Sequence, residues 1–81
     1  MTILVLDGGL LPAALGELAD DELLIVVDPS ADRLEELQRE FPDPRITFLI
    51  GDGVVIPVPD GSVDRVLGNG SSSELRRVLR R

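Results

Sequence analysis

The sequence predicts an α/β domain, a small three-layer parallel sheet of four strands with about three helices. Three observations predict it. Short apolar runs end in polar or glycine residues, the first being Ile3-Leu4-Val5-Leu6-Asp7-Gly8-Gly9. Stretches with helical spacing separate these runs. With two Phe and no Trp or Tyr, Val, Leu and Ile must build the core. Uninterrupted apolar runs suit parallel strands buried on both faces. In such sheets ligands bind beyond the carboxyl ends of the strands, where neighbouring connections leave in opposite directions. The first strand is therefore predicted to be central, with its polar end as the candidate site.

The 81 residues suffice for one small domain, 1–81. At this size only about 60% of the unfolded chain's surface is buried, so the core is thin.

After the first strand, Leu11, Ala14, Leu15, Leu18 and Ala19 mark one face of a helix over Leu10 to Ala19, with Pro12 in its first turn. Gly16 within it is either a close-packing point or a weakness of about 1 kcal/mol relative to Ala. Leu23 to Val27 is the second strand and Asp28 closes it. Pro29-Ser30 breaks the run, and Ser30 caps a helix from Ala31 to about Phe41 that buries Leu34, Leu37 and Phe41. Pro42-Asp43-Pro44 ends that helix. Ile46 to Ile50 is the third strand, with Gly51-Asp52-Gly53 as its polar end.

The fourth strand is placed at Val63 to Leu67. The residues before it hold two prolines, which argues for an extended link. About eleven extended residues reach ~36 Å, enough to return along one strand and slide three strand spacings, roughly 22 Å. The link can cross the first two strands or stop nearer. Gly68-Asn69-Gly70 is a turn. Ser71 and Glu74 have capping-box spacing, and Leu75, Val78 and Leu79 form one apolar face of a last helix.

Charge narrows the function. The formal charge is −7 and every basic residue is Arg. Nucleic-acid binding needs a positive footprint, so it is not expected. Arg76, Arg77, Arg80 and Arg81 are expected to complement the carboxyl end of the last helix, with a docking patch for an acidic partner as the alternative. The absence of Cys, His and Lys excludes thiolate nucleophiles, imidazole bases, Schiff-base lysines and Cys/His zinc sites. No run approaches the ~20 apolar residues of a membrane span, and no secretory signal opens the chain, so a soluble, cytoplasmic protein is expected.

The order of elements, with Val5-Leu6-Asp7-Gly8-Gly9, Val26-Val27-Asp28-Pro29-Ser30, Phe48-Leu49-Ile50-Gly51-Asp52-Gly53 and Ile56 through Leu67, resembles the first half of the Rossmann-like S-adenosylmethionine-dependent methyltransferases. The resemblance covers nearly the whole chain and implies the strand order 3-2-1-4. It implies that Asp7 lies near the cofactor's ammonium, with Gly8 and Gly9 giving backbone access. Asp28 would accept from the two ribose hydroxyls, and Asp52 would face the adenine amino group beside the Gly53 amide. The family's D-x-G-x-G-x-G pattern gives way here to Asp7-Gly8-Gly9-Leu10-Leu11-Pro12. The chain also stops where the family adds three more strands. The resemblance therefore implies binding of S-adenosylmethionine or S-adenosylhomocysteine with little or no methyl transfer by this chain alone, and no catalytic residue is assigned.

Each site residue also has a plainer reading as a strand end or a turn, and Asp60, Gly61 and Asp64 read better as turn or solvated positions. A nicotinamide-binding domain would need the G-x-G-x-x-G turn, and a receiver domain would need a lysine; both are missing. The competing expectation is a non-catalytic scaffold, truncated or designed, that forms a homodimer by pairing Val63 to Leu67 across a two-fold axis.

Overall fold

The computed structural model describes residues 1–80. Its elements are β1 (Thr2–Val5), a 3-10 turn (Gly8–Leu10), α1 (Leu11–Glu17), β2 (Leu23–Asp28), α2 (Ala31–Glu40), β3 (Ile46–Ile50), β4 (Arg65–Leu67) and α3 (Ser72–Val78). The four strands form one sheet in the order β3-β2-β1-β4, and every pairing is parallel. β1 is central, as its apolar run on both faces requires.

Alternation along the strands divides the core in two. Ile3 and Val5 of β1, Leu24 and Val26 of β2 and Ile46 of β3 face α1 and α2, where Leu11, Ala14 and Leu34 meet them. Leu4 and Val27 face the other way, onto Val78 of α3 and onto Ile56, Val58 and Val63 of the link before β4. Successive β-α-β units that move in one direction place both helices on one face, because such crossovers are right-handed. The chain then reverses past β1, and the proline-containing link covers the opposite face in place of a helix. That reversal puts the point where neighbouring connections leave to opposite faces between β1 and β4.

Several local expectations change. α1 ends at Glu17 rather than Ala19, because Leu18 turns extended and its N–H bonds back to the Leu15 carbonyl. Gly16 is not a close-packing point: a Cβ there would meet nothing within 4 Å. The capping box does not form. The Ser71 side chain caps no helix amide, and its N–H donates to the Gly53 carbonyl at 2.7 Å. Glu74 turns instead to the link, accepting from the Ile56 N–H at 2.9 Å and from Arg77 at 2.6 Å.

Two of the C-terminal arginines, Arg77 and Arg80, are engaged within the fold. Arg77 also donates to the Val58 and Ile56 carbonyls and to Asp60, binding the link to α3. Arg80 lies 3.5 Å from Asp64, and Arg81 lies outside the described residues. β4 is shorter than Val63 to Leu67. The Val63 N–H donates to the Val78 carbonyl, and the Val63 carbonyl accepts from the Arg80 N–H. The Asp64 carboxylate takes the Thr2 N–H at 2.8 Å, which shifts Val63 out of the ladder. The open edge is thus Arg65–Leu67.

Candidate functional site

β1 and β2 run side by side, with Val5 opposite Val26, so their polar ends emerge together. Asp7 and Asp28 line one hollow of about 440 Å³ with Leu6, Pro29, Ser30 and Arg33. The two acids differ in setting. The Asp7 side chain is 56% exposed and Asp28's only 6%. Asp7 caps the 3-10 turn by accepting the Gly9 N–H at 2.8 Å. Asp28 holds two loops at once: Oδ2 accepts the buried Gly8 N–H at 3.0 Å, and Oδ1 accepts the Ser30 N–H at 2.9 Å. A buried carboxylate needs such donors to be tolerated, and each oxygen keeps a further lone pair.

Gly8 must be small here. A Cβ would come within 2.7 Å of Leu37 Cδ1 and 3.1 Å of Asp28 Oδ2. Ser30 caps α2 through the Arg33 N–H, as its position after Asp28 predicts. The side chains that replace the expected glycines do not fill the hollow: Leu11 is in the core, while Leu10 and Pro12 are exposed and line no part of it.

Asp52 and Gly53 stand at the end of β3, beside β2, but outside this hollow. Asp52 Oδ1 accepts both the Val54 and the Val55 N–H at 2.9 Å, and these amides, Val55's first, hold its carboxyl below the usual range. Gly53 lies against the turn after β4, where a Cβ would be 2.8 Å from the Asn69 carbonyl oxygen. Of the six residues that the resemblance implies for one site, the structure brings Asp7, Gly8, Gly9 and Asp28 together and leaves Asp52 and Gly53 a loop away.

No motif in the sequence marks Arg33. Its Nη1 is 3.3 Å from Asp7 Oδ1 and 3.7 Å from Asp28 Oδ2. Its one sequence signal is its place in the first turn of a helix capped beside Asp28. Among the described residues no group of three or more metal-type ligands is present, and no helix is long and apolar enough to cross a membrane.

No protein-family model matches the chain, and no curated protein matches it. Among solved structures it is similar to a SAM-dependent methyltransferase from Aquifex aeolicus, with a TM-score of 0.75 and 21% sequence identity, over 99% of this chain and 51% of that one. The chain spans about half the length of that protein. The likeness shows the fold, a Rossmann-like α/β sheet with the strand order that the resemblance implies.

Proposed function

We propose that the hollow at the ends of β1 and β2 binds an S-adenosyl nucleoside, S-adenosylmethionine or its homocysteine product. The observation that carries the reading is that Asp7 and Asp28, distant in sequence, line one hollow at the carboxyl ends of adjacent parallel strands, next to the switch between β1 and β4. In this reading Asp28 uses its remaining lone pairs for the ribose diol, and the exposed Asp7 takes the ammonium. Asp52 offers Oδ2 to the adenine amino group, with Gly53 beside the ring. When bound, S-adenosylmethionine supplies an electrophilic methyl group. Transfer requires an acceptor held in line with the sulfonium, and no residue of the hollow is assigned to that work. Turnover by this chain alone is expected to be little or none.

The test is a nuclear magnetic resonance titration with S-adenosylhomocysteine on the wild type and on Asp28→Asn. Asparagine is preferable to alanine because it keeps one acceptor for the loop amides. Localised shifts at Gly8, Gly9, Ser30 and Gly53 that weaken in Asp28→Asn support the reading; no localised shift in the wild type overturns it.

The second reading, a non-catalytic scaffold that self-associates, is favoured by one observation, the open edge of β4. That edge is three residues long, shorter than an ordinary strand. Sedimentation across rising concentration tests it, and a monomer throughout would refute it.

A further inference from the structure

We propose that Arg33 is an internal counter-cation that occupies the candidate site and sets its preference against positively charged ligands. The inference rests on the functional reading above, and it concerns a residue which that reading does not use.

The geometry carries it. The Arg33 guanidinium reaches over both acids of the hollow, 3.3 Å from Asp7 Oδ1 and 3.7 Å from Asp28 Oδ2. These are the acceptor oxygens that a ligand's ammonium or hydroxyl donors would use. The position of the side chain is set by its surroundings. The Arg33 backbone N–H is fixed by the Ser30 hydroxyl. Its aliphatic stem lies down over Gly8, with Cδ 3.1 Å from where a Cβ would project. A larger residue at position 8 would lift the arm away from the acids.

The arm is also free to leave. Its side chain is 53% exposed, so swinging outward forfeits little packing. Ion pairs this exposed are worth little, so the cost to a competing cation is a factor of about 2 to 5. The consequence is selectivity by charge. A ligand bringing its own cation to Asp7 must displace Arg33 and then bind beside it. A neutral nucleoside that addresses only Asp28 avoids most of that cost.

The experiment compares the wild type with Arg33→Gln and Arg33→Lys, following the Gly8 and Gly9 amides. Three probes are titrated: methylguanidinium chloride against sodium chloride at equal ionic strength, adenosine, and S-adenosylhomocysteine. Arg33→Gln is expected to bind methylguanidinium and S-adenosylhomocysteine about 2- to 5-fold more tightly with adenosine nearly unchanged, and Arg33→Lys is expected to behave like the wild type. Equal methylguanidinium binding by the wild type and Arg33→Gln overturns the proposal, as does a parallel change for all three probes. If neither nucleoside binds any variant, the nucleoside reading falls, and the methylguanidinium comparison still decides the role of Arg33. A purely structural role would shift amides throughout α2 without changing the order of the probes.

Discussion

Asp28→Ala removes the carboxylate that joins the ends of β1 and α2, and the structure sets the size of the loss. Two donors lose their acceptor: the Gly8 N–H, which is buried, and the Ser30 N–H, whose residue is exposed. A buried donor left unpaired costs about 1–3 kcal/mol, while an amide that regains water loses only about 0.5–1 kcal/mol. The sum is about 1.5–4 kcal/mol. A domain of 81 residues has a total stability of about 4–12 kcal/mol, so the loss is a large share of it. It corresponds to a fall in Tm of roughly 6–30 °C. Asp28→Asn keeps one acceptor oxygen and should lose about half as much. Because the chain holds no Trp or Tyr, the assay is urea and thermal unfolding by far-ultraviolet circular dichroism. Amide exchange at Gly8 should quicken in parallel. A loss below about 0.5 kcal/mol in the alanine variant, or an asparagine variant as unstable as alanine, would refute the claim that Asp28 ties these two loops together.

Three further outcomes are expected. Glu74 is held below the usual carboxylate range, first by its Arg77 hydrogen bond and then by the Ile56 N–H, and Asp43 is lowered to about 2, chiefly by its Arg45 hydrogen bond. Folded values below the unfolded ones mean that the unfolded chain binds more protons. This stabilisation is complete above the unfolded values, near pH 4, and is lost as pH falls through the folded ones. Tm should therefore hold above about pH 5 and drop between about pH 4 and 2, less steeply in Glu74→Gln than in the wild type. Two glycines should respond with opposite sign. Gly16→Ala, in open space on α1, should stabilise by about 0.5–1 kcal/mol, and Gly8→Ala, 3.1 Å from Asp28 Oδ2, should destabilise by about 1–3 kcal/mol in chemical denaturation. Leu4→Ala, at a fully buried position in the central strand, should cost about 3–5 kcal/mol, against no more than about 0.5 kcal/mol for the exposed Leu23→Ala.

The residues whose partners differ from their local pattern share a cause. Ser71 and Glu74 have the spacing of a capping box, yet Glu74 found the Ile56 N–H and the Arg77 guanidinium of a distant loop and its own helix. Val63 reads as strand, but the Asp64 carboxylate takes the Thr2 amide and the residues after α3 take Val63. Arg33 carries no spacing signal. In each case a polar group had more than one partner within reach, and packing chose between them.

Hydrophobic periodicity determined where the strands and helices lie and that β1, apolar on both faces, is central, while the adjacency of the strands that end in Asp7 and Asp28 came with the order that the family resemblance implies. Burial of apolar surface is non-directional and follows the pattern of residue types along the chain. Only the tertiary structure decided that Asp28 is covered while Asp7 is open, that Arg33 lies across both, and that Asp52 and Gly53 stand outside the hollow. Hydrogen bonds and ion pairs are directional and short-ranged, so their partners exist only once the backbone has brought distant residues within about 3 Å of one another.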